Sequence, residues 1–125
     1  MARVTGFGGI FLRARDRDAL SAWNRDRPGL PVQAWHGAMF MAGLGGAATP
    51  YTVWGLFKAD TDYFAPGGKA CMVHFTVDAL DGLLGKLRAA GCAVEEKVME
   101  DENGRFGWVT DPEGNRIELW QPPQA

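Results

Sequence analysis

Apolar and polar residues alternate along the chain with a period that changes from segment to segment. Residues 4–14 alternate as a half-buried strand does. Residues 16–29 then begin with aspartates, which can cap a helix, place Leu20 and Trp23 on one face, and end in Pro-Gly, so they predict a helix. Short apolar runs bounded by turn residues predict three further strands, at 30–35, 37–42 and 51–57.

The second half of the chain begins the same order again. Residues 71–77 have the composition of a strand. Residues 78–91 carry leucines at the spacing i, i+3, i+4 and i+7, which predicts an amphipathic helix with one buried face: Leu80, Leu83, Leu84 and Leu87. Three more strands are predicted at 92–98, 105–110 and 115–121.

Residue matches between the halves indicate an internal repeat of strand, helix and three strands. The matched positions are 63 residues apart in the first strand and 62 from the helix onward: Leu12 with Phe75, Ala14 with Val77, Asp16 with Asp78, Gly29 with Gly91 and Val32 with Val94. We therefore predict one α+β domain over residues 1–125. It contains two βαβββ modules, at about 1–60 and 69–122, whose curved mixed sheets surround a cleft.

Composition narrows the range of partners. The net charge is −2 and the pI about 5.6, so the chain lacks the basic surface that nucleic-acid binding requires. No apolar run reaches the roughly 20 residues of a membrane span. Neither Cys71 nor Cys92 belongs to a CxxC pair, so we expect a cytoplasmic protein with reduced thiols. Five tryptophans exceed the needs of a small core, which indicates a small-molecule pocket or a dimer interface.

Two segments carry a resemblance to a known family. The closing GRFGWVTDPEGNRIELWQP and the earlier MVHFTVDALDGLLGKLRAAG resemble the vicinal oxygen chelate superfamily, which contains glyoxalase I, the extradiol dioxygenases and the bleomycin resistance proteins. The resemblance extends over nearly the whole chain. It implies two βαβββ modules, often in a homodimer. In the metal enzymes it also implies four ligands on the inner strands, which hold a divalent metal that binds two vicinal oxygens of the substrate.

The family's four ligand positions, carried onto this chain, fall on Gly9, Trp54, Met72 and Glu118. Only Glu118 is a ligand for a hard or borderline divalent cation, because glycine and tryptophan offer no donor and a thioether is soft. We therefore predict a cleft without a metal cofactor. His74 shares a face with Met72, so a divalent metal held by His74, Glu118 and waters remains the alternative.

If the fold is right, strand alternation directs Glu118 into the cleft, with Trp120 on the same face. Phe11 and Arg13 face the cleft from the first strand. One interpretation is an Arg13–Glu118 ion pair. The other is a desolvated Glu118 whose raised pKa suits a general base or an anchor for a ligand. His74 is either a neutral cleft histidine or a second acid–base group.

Three functions follow from these positions. The first is a protein that binds a small apolar or aromatic molecule without metal, with contacts at Phe11, Arg13, Trp54, Met72, Trp108 and Trp120. The second is a metal-dependent enzyme: a lyase like lactoylglutathione lyase, an isomerase or an extradiol dioxygenase. The third is a metal-free enzyme that uses Glu118 or His74 as its acid or base. For each of these we expect a small-molecule ligand and a homodimer.

Overall fold

The computed structural model describes residues 2–41, 51–65 and 68–123. Within these ranges it contains two helices and eight strands: β1 (Val4–Ala14), α1 (Arg17–Asp26), β2 (Gly37–Met41), β3 (Tyr51–Lys58), β4 (Cys71–Val77), α2 (Leu80–Ala89), β5 (Ala93–Val94), β6 (Met99–Asp101), β7 (Gly104–Thr110) and β8 (Arg116–Gln121). The predicted α+β class is confirmed.

The strands form one mixed sheet in the order β2-β3-β1-β4-β8-β7-β5, and β6 also pairs with β7. At the centre β1 runs antiparallel to β4. On one side β1 is parallel to β3, and on the other β4 is parallel to β8 in the same way. The sheet therefore consists of two like halves that meet at the β1–β4 pair, as the repeat in the sequence predicts.

Helix α1 begins and ends where the sequence signals place it, and α2 lies within the predicted residues 78–91. The Asp16 carboxylate accepts a hydrogen bond of 2.9 Å from the backbone N–H of Ala19, which caps α1. Gly29 has a φ of 85° just beyond the helix, a conformation that glycine adopts without steric cost. The leucines of α2 form a core cluster against one face of the sheet, with these buried members: Val77, Leu80, Leu83, Leu84 and Leu119.

Two strand predictions are wrong in detail. Residues 30–35 are not a strand, because Pro31 has no N–H to donate and backbone hydrogen bonds close turns there instead: Gln33 donates to Gly37 and His36 to Gln33. Within the predicted strand 92–98 only β5 pairs with the sheet, and β6 forms just beyond it. Ala42, which ends the strand predicted at 37–42, lies outside the described residues.

A second core cluster lies on the sheet face opposite α2 and consists of Phe64, Met72 and Trp108. It forms the base on which a cleft is built.

None of the helices in the described part of the chain is long and apolar enough to cross a membrane. Cys71 and Cys92 are free and exposed.

Candidate functional site

The sheet face opposite α2 contains a cleft of about 490 Å³. Six aromatic side chains line it: Phe11, Trp35, Tyr51, Phe57, Phe106 and Trp120. Polar groups are fewer, namely Arg17, His74, Asn103 and Glu118. A predominantly apolar concave site with a few convergent polar groups is the usual form of a small-molecule pocket.

Glu118 lies at the base of the cleft and is only 2% exposed. Its neighbours on β8, Ile117 and Leu119, pack against the α2 cluster, so alternation directs the carboxylate to the cleft face. The phenol of Tyr63 donates a hydrogen bond to Oε1 of Glu118. Burial raises the pKa of Glu118 to about 7, although the Tyr63 hydrogen bond opposes the shift.

His74 stands beside Glu118 because β4 and β8 pair in a register that joins these two residues. Its ring is 2% exposed and stacks on Phe11, with the ring centroids 4.3 Å apart. Nε2 lies 3.4 Å from the carbonyl oxygen of Val53, whereas Nδ1 has no hydrogen-bond partner and lies 3.9 Å from Oε2 of Glu118. Burial lowers the pKa of His74 to about 4, so the imidazole is neutral at physiological pH.

The segment that follows β3 holds Tyr63 over Glu118. Arg116 anchors this segment: its guanidinium donates to the backbone carbonyl of Tyr63 and lies 5.3 Å from the centroid of the Tyr63 ring. The same guanidinium lies 4.7 Å from the Trp108 ring and donates to both carboxylate oxygens of Glu95, at 2.7 and 2.8 Å. The Tyr63 hydroxyl that donates to Glu118 is thus held in place by Arg116, and Arg116 is itself held by Glu95.

The strand register shows which residues lie side by side in the two like halves of the sheet. Phe11 pairs with Gly55, and His74 pairs with Glu118, so equivalent positions are 63 residues apart in both pairs. These register pairs differ from the positions carried over from the family at Gly9, Trp54 and Met72. Trp54 misses Gly55 by one residue and so lies on the opposite face of β3, outside the cleft lining. Gly9 and Met72 lie two residues before Phe11 and His74.

Met72 and Trp108, expected among the ligand contacts, are each 1% exposed and pack against Phe64 beneath the cleft. The guanidinium of Arg13 lies over the Phe64 ring at 5.2 Å. No Arg13–Glu118 ion pair forms in the described structure; Tyr63 occupies the place expected for that partner. The remaining expected contacts, Phe11 and Trp120, line the cleft together with His74 and Glu118.

Tyr63 is the main site residue that the sequence reasoning missed. It precedes Phe64 in the polar segment between β3 and β4. Two adjacent aromatic residues in such a segment signal burial, since large apolar side chains are seldom left in solvent without a partner. Tyr51 and Phe106 were also missed because the pairing of the strands, and not their own pattern, brings them to the cleft, and Trp35 reaches it from the turns before β2.

Fold and site together define a small α+β protein with two like halves around one cleft. The profile of the Glyoxalase/Bleomycin resistance protein/Dioxygenase superfamily matches residues 6–119. The chain belongs to this superfamily, which confirms the resemblance seen in the sequence.

Three solved structures illustrate the likeness. The Mn(II)-bound glyoxalase from Novosphingobium aromaticivorans is 24% identical, with a TM-score of 0.64, and the match covers 100% of this chain and 44% of that one. Methylmalonyl-CoA epimerase from Mycobacterium tuberculosis is 21% identical, with a TM-score of 0.63 and coverage of 97% and 90%. A variant of the Streptomyces coelicolor epimerase, in complex with 2-nitronate-propionyl-CoA, is 17% identical, with a TM-score of 0.70 and 98% of each chain covered. No curated protein sequence matches the chain.

The residues at the cleft level do not fit the family's divalent metal. Such a metal takes three or four nitrogen or oxygen ligands, and Phe11 and Gly55 occupy two of the four positions. In the described part of the chain, no three His, Cys, Asp or Glu side chains converge on a point. The aromatic ring of Phe11 instead covers one face of His74. A metal-free cleft therefore stays our prediction.

Proposed function

We propose that this protein binds a small apolar or aromatic molecule in the cleft without a metal ion. The observation that carries the proposal is the composition of the lining, in which six aromatic rings surround a single buried carboxylate–imidazole pair. The glycine at position 55 contributes to this space, because a Cβ there would lie 3.2 Å from the Phe11 ring. Burying about 100 Å² of apolar ligand surface against such walls contributes about 2–3 kcal/mol before the costs of association.

A fluorescence titration tests the proposal with propylbenzene and phenethyl alcohol as probes. Trp35 and Trp120 line the cleft, so a bound probe should change tryptophan emission in a saturable way. Gly55→Leu should abolish the change, since its side chain fills the cleft. Gly85→Leu is the matched control, because a Cβ at Gly85 in α2 meets nothing within 4 Å. The proposal fails if neither probe gives a saturable signal, or if Gly55→Leu responds like the native protein.

Proton transfer without a metal is a second candidate function, supported by the pKa of about 7 at Glu118. A carboxylate that titrates near neutral pH suits a general base, and Oε2 accepts no hydrogen bond from the described residues. The test is exchange of the α-protons of phenylacetone for deuterium, followed by NMR. Exchange should be faster with the native protein than with Glu118→Gln; equal rates would exclude this candidate.

A further inference from the structure

Glu118 and His74 leave two unpartnered acceptors at the base of the cleft. Oε1 of Glu118 is occupied by the Tyr63 hydroxyl, while Oε2 faces Nδ1 of His74 across 3.9 Å. Because the Val53 carbonyl can only accept, Nε2 of His74 must carry the ring proton for that contact, which leaves Nδ1 as a bare acceptor. A buried acceptor without a donor costs about 1–3 kcal/mol. Nδ1 is not accessible from the cleft, so Oε2 of Glu118 is the acceptor left for a donor on a ligand.

The surrounding aromatic rings favour a positively charged donor. The rings of Phe11 and Trp120 are centred 4.3 and 6.3 Å from the His74 ring, so both lie near the acceptor pair. Aromatic faces attract organic cations, and a carboxylate strengthens that attraction when water is excluded. In the described structure no Lys or Arg nitrogen lies within 4 Å of the Glu118 carboxylate.

We propose that the molecule bound in this cleft is an organic amine whose ammonium group donates a hydrogen bond to Oε2 of Glu118. This inference rests on the proposed function and adds the chemical class of the ligand. The apolar part of the amine lies among the aromatic rings, and the ammonium replaces the missing donor. Arg17 is the cationic side chain of the cleft lining, and it follows the end of β1. Phe11, which stacks on His74, lies three residues before that end, so Arg17 is attached away from the proposed ammonium site.

Binding of an ammonium group requires an ionised Glu118, so affinity should depend on pH. The groups that act on Glu118 are Tyr63 from the segment after β3, His74 on β4, Asp101 on β6, the indole N–H of Trp108 on β7 and Arg116 on β8. Among these, the raised pKa of Tyr63 and the lowered pKa of His74 keep both neutral between about pH 6 and 8. With a pKa of about 7, Glu118 must release a proton to solvent when the amine binds below that pH.

Four phenyl probes separate the contributions: phenethylamine, its quaternary trimethylammonium analogue, phenethyl alcohol and propylbenzene. Phenethylamine should bind at least about tenfold more tightly than the alcohol, because its hydrogen bond is charge-assisted. The quaternary ion has the charge but no N–H, so it should bind more weakly than phenethylamine. Calorimetry should show phenethylamine binding about tenfold more weakly at about pH 6 than at about pH 8, with a proton released, and no pH effect for the neutral probes.

Glu118→Gln tests the same contact in a protein that keeps an acceptor for Tyr63. It should weaken phenethylamine binding by about 10- to 100-fold and leave propylbenzene unchanged. The inference is overturned if the amine and the alcohol bind equally, if amine affinity is independent of pH, or if Glu118→Gln has no effect; the proposed function survives each of these results. If none of the four probes binds, the proposed function itself fails.

Discussion

The pair at the base of the cleft should give the protein a stability profile in which two opposite pH dependences cancel. Glu118 has a pKa of about 7 when folded against a model value of 4.5, so between these values the folded state holds a proton that the unfolded state has lost. Stability therefore falls as pH rises through this window. His74 behaves in the opposite sense, because its pKa falls from 6.5 to about 4 on folding and stability rises with pH between them.

Each contribution amounts to about 3 kcal/mol, since one pH unit within a window changes the free energy of unfolding by about 1.4 kcal/mol. From pH 4.5 to 6.5 the two slopes cancel in the native protein. Glu118→Gln removes the falling slope, so its stability relative to native should increase by about 3 kcal/mol from pH 4.5 to 7 and stay level above. His74→Asn should lose a similar amount relative to native as pH rises from 4 to 6.5.

Urea unfolding followed by tryptophan fluorescence measures both differences, and equal m-values would show that the unfolded states are comparable. Glu96→Gln is the control, because it makes the same chemical change at an exposed carboxyl outside the cleft lining. If the free energies of unfolding of native protein and Glu118→Gln changed with pH in parallel, the reasoning would be refuted. The Glu118 carboxyl would then titrate alike in the folded and unfolded states.

Three further predictions concern metal binding, the Tyr63 segment and assembly. The native protein should retain less than about 0.1 equivalents of divalent metal. The double variant Phe11→His with Gly55→Glu should complete a four-ligand set with His74 and Glu118 and retain close to one equivalent. Equal metal content in the two proteins would contradict the register. Arg116→Met should lower the free energy of unfolding, measured in urea, by about 2–4 kcal/mol, because it leaves the partly buried Glu95 carboxylate unpaired. The control Arg25→Met, at an exposed position, should change it by less than about 0.5 kcal/mol. Sedimentation should report a homodimer of twice 13.6 kDa, and Phe7→Asp should favour the monomer, because Phe7 is 54% exposed on a central strand; a native monomer at micromolar concentration would rule this out.

Local patterns in the sequence were sufficient for most of the secondary structure. The leucine spacing of α2 and the capping aspartate of α1 act within one or two turns of helix, so they can be recognised without knowledge of the fold. The repeat placed the two halves in relation to each other, and alternation on β8 correctly directed Glu118 away from solvent. The strand expected at 30–35 failed because Pro31 and two turn hydrogen bonds outweighed its apolar residues.

The composition of the site was decided by tertiary structure. Alternation within one strand does not fix its register against a neighbouring strand, and that register places Gly55, not Trp54, beside Phe11. Likewise, the β4–β8 register alone sets His74 beside Glu118. Tyr63 reaches Glu118 from a segment with no period to interpret, and its position depends on Arg116, 53 residues away in sequence. The sequence by itself thus determined the carboxylate and its face, while long-range pairing determined its partners, because cross-strand contacts depend on register and loop packing that local patterns do not encode.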